Sequence, residues 1–347
     1  MEALDNKCPT CGAGITFNPV TQSWDCKYCG SKFSLEEMEK CNSVNAPTNK
    51  EEQIDEGSEN KMEAYHCKSC GAEILADETT TATFCVYCGS TAILKEKIET
   101  SKMPNFIIPF KNVKKDAEEA FKSLTKRKPL TPHCFKDPKN IDKITGIYIP
   151  FWAYDLEATG MVEFLGEDVK KWSDKEYHYT KTEKYNVEKS GKFEFKKVLA
   201  DASTRFPNDL MDSLEPFDYT QLEEYNHAYL AGFLAEKYDV SEDEGLKRVQ
   251  DRANNTAVYL MKETVKHDKV SVSNNQMSVV AKNIYYILLP VWMVNIKYKD
   301  RDYIFAMNGQ TGKFIGNIPI GIKEAIIWGL LIFIVLFVVA FLGLKFI

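Results

Sequence analysis

Cys8-Pro9-Thr10-Cys11-Gly12 and Cys26-Lys27-Tyr28-Cys29-Gly30 decide how this chain is read, together with their near-copies Cys67-Lys68-Ser69-Cys70-Gly71 and Cys85-Val86-Tyr87-Cys88-Gly89. Each copy reads C-x2-C, then fourteen residues, then C-x2-C. At that spacing two thiolate pairs on facing hairpin tips close a tetrahedral zinc site. Two structural Zn2+ ions are expected, one on Cys8, Cys11, Cys26 and Cys29, the other on Cys67, Cys70, Cys85 and Cys88. Rubredoxin-type iron and two redox-active C-x-x-C pairs are the competing chemistries; a thioredoxin-like pair needs a βαβ context that is missing around Cys8. With four cysteines per site no coordination position is left for water, so zinc-based hydrolysis is not expected.

Outward from these knuckles, the glycine after each second cysteine (Gly12, Gly30) permits a left-handed turn. Ile15, Phe17 and Trp24 alternate with polar residues around Asn18-Pro19, as in a short hairpin, and Ser34 with Glu37 has capping-box spacing for a short helix. Residues 1–41 are thus expected to form a first zinc ribbon with its helix. From 42 to 63 the chain turns to Asn, Ser, Thr, Glu and Asp, too polar to bury a core, and is read as a flexible acidic linker. Residues 64–100 repeat Cys-Gly-Ala and Cys-x-Tyr-Cys-Gly-Ser at the first ribbon's offsets, which marks a duplication. Of the ten cysteines only Cys41 and Cys134 are left over, so a disulfide framework is not expected and the thiols belong in a reducing cytosol.

Residues 101–320 are read as one mostly antiparallel α+β domain. Phe106–Phe110 is a predicted strand, and Val113, Ala117, Ala120, Phe121 and Leu124 share a helix face with Asn112 as cap. Strands are expected at 144–154, 160–165, 177–187 and 193–200. The period then becomes helical: Tyr225, Tyr229, Leu230, Phe233 and Leu234 mark one predicted helix, and Leu246 to Met261 another, opened by Ser241 and Glu244. Strands return at 269–273 and 284–298, and a hairpin is predicted through Asn308-Gly309 to Phe314-Ile315. The two Pro-x-Trp runs, at Pro150 and Pro290, are read as related halves.

Ala325 to Leu344 is twenty residues without a charge, which at about 1.5 Å per residue spans the roughly 30 Å hydrocarbon layer. A single-pass C-terminal anchor in the cell membrane is expected, with lipid contact through 325–344. Met1–Asp5 is acidic and has no apolar core, so no cleavable leader is expected. The need for reduced thiols, with a weak positive-inside bias from Lys313 and Lys323, puts the N-terminus in the cytoplasm.

The formal net charge of −6 over 347 residues gives no field for nucleic acid, and neither ribbon carries a cationic stripe, so protein partners are favoured over DNA or RNA. Gly309-Gln310-Thr311-Gly312-Lys313 lacks Walker spacing and is read as a turn. His133 and Cys134 have no second cluster to complete a site, and no catalytic motif is present, so a non-enzyme is expected. The helix around Lys111, Lys114, Lys115, Lys122, Lys126, Arg127 and Lys128 could meet anionic lipid, although an ordinary solvated face is the favoured reading.

The ribbons, FIIPF (106–110), IYIPFW (147–152), YLAGFLAEKYD (229–239), AMNGQTGKFIG (306–316) and the terminal anchor together resemble a bacterial family of TFIIB-type zinc-ribbon membrane proteins. Its members are often labelled primosomal-helicase-like or phage-replisome-organiser-like, and some resemble parts of envelope-stress operons containing phage-shock PspA-type proteins. The resemblance implies a membrane-docking role; with the missing catalytic motifs, the neutral-to-acidic ribbons, the spacer and the anchor, the expected protein is a non-enzymatic, tail-anchored adaptor that recruits cytosolic proteins to the membrane through two ribbons held out from a membrane-proximal domain. The alternative is a membrane-tethered nucleic-acid-binding protein of replication or transcription.

Overall fold

A computed structural model describes residues 7–44, 63–67, 71–76, 85, 87, 93–97, 102–206, 208–299 and 301–344. In chain order the elements are β1 (Thr16–Asn18), β2 (Ser23–Asp25), β3 (Lys32–Phe33), α1 (Leu35–Val44), β4 (Glu63–Cys67), β5 (Glu73–Ala76), β6 (Ile93–Lys97), β7 (Phe106–Ile107), α2 (Lys114–Lys126), α3 (Pro138–Ile141), β8 (Thr145–Ser173), β9 (His178–Asp201), α4 (Asn208–Leu214), β10 (Glu223–Glu224), β11 (Leu234–Glu236), α5 (Glu242–Glu263), β12 (Lys269–Tyr298), β13 (Arg301–Asn308), β14 (Phe314–Gly316) and α6 (Ile322–Leu344). The fold is α+β with mostly antiparallel pairing; β11 lies parallel to β8, with Leu234 opposite Ile147. The chain divides into two compact units, Met1–Pro150 with Ser203–Lys237 and Leu288–Ile347, and Phe151–Ala202 with Tyr238–Ile287. The range 101–320, expected as one domain, is therefore shared between two.

In the first unit, β1, β2 and β3 make a small sheet, and a larger one runs β10-β7-β12-β8-β11-β5-β4-β6, with β13 on β12 and β14 on β13. The two Pro-x-Trp runs lie on neighbouring strands, β8 and β12. Aromatic rings fill the core: Phe110 stacks on Phe233 at 4.2 Å and meets the edges of Tyr148 and Trp292. Helix α2 packs Phe121 on Phe305 and Phe314. Ser34 and Glu37 form the predicted capping box, with 2.8 Å from Ser34 N to Glu37 Oε2, and α1 runs on to Val44. The rest of the predicted linker, 45–62, lies outside the described residues.

Two expectations fail here for physical reasons. The predicted helix at 225–234 is a short 3-10 turn, His227–Leu230, followed by β11. Asn226 Oδ1 caps that turn through Ala228 N, Gly232 adopts φ +86°, and sheet bonds to Ile147, Tyr148, Ile74 and Leu75 claim the next residues. Tertiary pairing has overridden the local period. Asn112 does not cap α2; its side chain donates to the carbonyls of Gly309 and Gln310, and Val113 N donates instead to Asp116 Oδ2 at 2.8 Å. The hairpin predicted through Asn308-Gly309 is present, β13 pairing with β14, and its loop over 309–313 takes its left-handed residue at Gly312, φ +76°.

Nor are the cysteine modules held out from the rest. Strand β5 pairs with β11, which joins β4–β6 to the larger sheet. The β1–β2 hairpin docks on the 3-10 turn: Phe17 N donates to Ala231 O at 3.0 Å, and both Phe17 and Trp24 pack on the ring of Tyr229.

In the second unit, β8 and β9 form one long hairpin from Phe151 opposite Asp201 to Ser173 opposite His178. The sequence breaks this into shorter strands because its outer face is charged; cross-strand pairs such as Lys192 with Glu157 keep it solvated. The inner face buries Val162 and Phe164 against Met261 and Val265, with Val187, Phe193 and Val258 packed alongside. Ser241 and Glu244 cap α5 as expected, and β12 absorbs both strands predicted at 269–273 and 284–298.

Candidate metal centre

Each half of the first cysteine module is a tight turn. Cys8 N donates to Ala13 O and Gly12 N to Cys8 O, while Cys26 N donates to Ser31 O and Gly30 N to Cys26 O, at 2.6 to 2.9 Å. Gly12 and Gly30 adopt φ +74° and +77°, which a Cβ would strain. The β1–β2 hairpin then brings the two turns face to face, with Thr16 opposite Asp25.

The four sulfurs converge as a result. Cys8 Sγ lies 3.5 Å from Cys29 Sγ, Cys11 Sγ lies 3.6 Å from Cys26 Sγ, and all four fall within 4.8 Å of one another. A tetrahedral ion with bonds of about 2.3 Å to sulfur needs edges of about 3.8 Å, so the donor set fits one such ion. Cys8 and Cys26 are buried, whereas Cys11 and Cys29 face solvent. The Ser31 hydroxyl and backbone amide hold the Cys29 thiol down to about 6, while Cys11, despite the Ala13 amide, is pushed up to about 12 by desolvation and its sulfur neighbours, so the four thiols hold their protons unequally.

The second predicted set is seen in part. Cys67 and Cys85 are both buried, and Cys70 and Cys88 lie outside the described residues. The turn at Cys67 repeats the one at Cys8: Cys67 N donates to Ala72 O, Gly71 N to Cys67 O, and Gly71 adopts φ +73°.

One buried group beside this turn has no signature in the sequence. Glu236, fully buried on β11, accepts from Ser203 Oγ at 2.7 Å and stands 3.4 Å from Arg205 Nε. Arg205 Nη2 in turn donates to Gly71 O at 2.7 Å, and its guanidinium faces the ring of Tyr87. Burial, reinforced by the Glu236 carboxylate, pushes the Tyr87 phenol well above its ordinary value. Arg205 thus ties the Cys67 turn to a buried charge. His133 is exposed and Cys134 half-buried, with burial pushing its thiol up; they join no cluster among the described residues.

These features define an α+β protein with a four-cysteine centre at one end and one helix long and apolar enough to cross a membrane. That helix, α6, has a mean hydropathy of 2.5 over Ile322–Val339 and buries none of that window. The chain is 34% identical over 326 residues to YdjG of Bacillus subtilis, described as an uncharacterized protein; the match covers 94% of this chain and 93% of the relative. The chain belongs to the family that includes YdjG. No family profile matches it. No solved structure matches it either.

Proposed function

We propose that this is a non-enzymatic adaptor of the TFIIB-type zinc-ribbon kind, anchored in the membrane by α6, that recruits proteins through its metal-folded modules. One observation carries the reading. The four-cysteine cluster belongs to the same compact unit as the membrane-length helix, and the residue between its second pair, Tyr28, is 84% exposed. A ring left in water on a closed metal knuckle stabilises nothing in its own fold, and aromatic residues of this kind are the usual anchors of protein contacts. Two Zn2+ ions serve structurally, on Cys8, Cys11, Cys26 and Cys29 and on Cys67, Cys70, Cys85 and Cys88. The modules face the cytoplasm, and a PspA-like stress protein is the partner that the family resemblance suggests.

The test is direct. Full-length protein in detergent is mixed with a purified PspA-like protein from the same cell, and binding is compared with Tyr28→Ala and Cys67→Ser. Binding lost in both variants supports the adaptor. Salt-sensitive retention of nucleic acid, with no protein bound, would replace it with the tethered nucleic-acid reading.

A further inference from the structure

In the first unit the chain that follows α2 is tied to the start of α6. Gly321, one residue before α6, donates its N–H to the carbonyl of Leu130 at 2.9 Å. A Cβ at Gly321 would meet the Glu324 carboxylate and Pro132 Cγ, so the 130–132 backbone is packed directly on the helix start. This loop is not free to drift. Thr131 Oγ1 donates back to Lys128 O at 2.7 Å, and the fully buried Phe135 is held among Tyr298, Tyr303 and Phe305.

The fixed loop carries cations. Lys126, Arg127, Lys128, Lys136 and Lys139 are all exposed, and Lys323 adds one from the first turn of α6. Along α2 itself Lys115 and Lys122 are matched by Glu119 and Glu118, but among the described residues no ion pair engages Lys126, Arg127, Lys128 or Lys136. Two acids share the region: Asp137 caps α3 through Lys139 N, and the Glu324 carboxylate lies over the Gly321 turn at the start of α6.

Depth follows from helix geometry. Gly321 precedes Ala325, the first residue of the uncharged run, by four residues. That is about 6 Å at about 1.5 Å per residue, and the headgroup layer on each side of a bilayer is roughly 5 to 8 Å thick. If α6 crosses the membrane, Leu130 and the cations beside it are held at the level of the phosphates.

We propose that residues 126–139, with Lys323, form a binding surface for anionic phospholipid headgroups, set at headgroup depth by the Leu130–Gly321 hydrogen bond. The proposal rests on α6 spanning the bilayer. It gives a role to cations that a protein with a net charge of −6 holds beside its membrane-length helix. It also orients the protein, because the cation-rich flank of a membrane helix faces the cytoplasm.

The full-length protein is placed in nanodiscs of phosphatidylcholine, with and without added phosphatidylglycerol, and hydrogen exchange is followed by mass spectrometry. Protection of 325–344 in both discs reports insertion of α6; its absence overturns the anchor reading itself. With insertion established, exchange of 126–136 should slow when phosphatidylglycerol is added. The Lys126→Gln/Arg127→Gln/Lys128→Gln variant should lose that response, with relative affinity for the anionic lipid falling about fivefold per cation removed. Lys181→Gln/Lys184→Gln, in the other unit, should keep it. Equal exchange in both discs, an unaltered response in the triple variant, or an equal loss in the control would each overturn the proposal. So would full protection of 126–136 by inorganic phosphate in phosphatidylcholine discs, which would indicate a site for free phosphate.

Discussion

The indole N–H of Trp24 donates to the main-chain carbonyl of Ala228 at 2.7 Å, and so fastens the metal hairpin to the 3-10 turn of the same unit. Both groups are out of water; Trp24 is 1% exposed. Trp24→Phe keeps most of the ring contact but removes one of the two donors to the Ala228 carbonyl, leaving Ala231 N at 3.1 Å, at a cost of about 0.5 to 1.5 kcal/mol. Trp24→Ala also forfeits the packing on Phe17 and Tyr229 and should cost about 3 to 5 kcal/mol. Native-state hydrogen exchange of β1 and β2 measures both, and equal opening energies in the two variants would show that the ring contacts contribute nothing.

Much of the first module could be read in the sequence because its constraints are local. Cysteine spacing, the left-handed glycines and the Ser34–Glu37 box each act over a few residues, and each is present as expected. The docking of the modules could not be read, because it depends on partners some 200 residues away, such as Trp24 and Ala228. The stretch from Tyr229 to Asp239 shows the difficulty most clearly. Its apolar spacing fits a helix, yet it is shared among a 3-10 turn, a left-handed glycine and a strand paired on both edges. Glu236 was equally hidden, since an acid between Ala235 and Lys237 gives no sign that Arg205 will reach it.

Docking makes metal removal a test of coupling. A structural zinc site is worth about 10 to 16 kcal/mol to a small module, so chelation should unfold residues 7–33. Because Phe17 and Trp24 rest on Tyr229, exchange should also rise across 227–233. An independent ribbon would leave 227–233 unchanged. Metal analysis of the intact protein should find two zinc ions per chain, and Cys8→Ser and Cys67→Ser should each lose one.

The Glu236–Arg205 pair predicts an asymmetric mutational response. Arg205→Met takes the guanidinium away from a fully buried carboxylate, and breaking a buried pair in this way costs about 3 to 5 kcal/mol. It also frees the Gly71 carbonyl, so the Cys67 turn should loosen and bind its metal more weakly. Arg205→Met/Glu236→Leu should recover much of the stability, since an apolar pair of similar volume needs no compensation. Competition with a colorimetric zinc chelator, set beside thermal unfolding, separates the two effects. If the double variant is no more stable than Arg205→Met, the charge is not what holds this region.

At the tip of the long hairpin, Asp174 predicts an acid-sensitive local structure. Its Oδ1 accepts from Glu176 N at 2.9 Å and Tyr177 N at 2.8 Å, and its Oδ2 accepts from the Tyr179 hydroxyl at 2.8 Å. The Glu176 and Tyr177 amides and then the Tyr179 hydroxyl hold the carboxyl below its usual value. A group whose folded value is depressed stabilises the folded form above its unfolded value, and that contribution is lost as pH falls through the folded one. The tip should therefore stay closed where an ordinary aspartate titrates and open only in a more acidic range. Tyr179 stacks on Trp172 at 5.4 Å, so a fluorotryptophan resonance at Trp172 reports the change. In Asp174→Asn that resonance should no longer respond to pH in this range. The Trp152 resonance, from the same unit but hydrogen-bonded to Val240, should stay fixed while Trp172 moves; if the two shift together, the transition is unfolding of the whole unit and Asp174 is not its trigger.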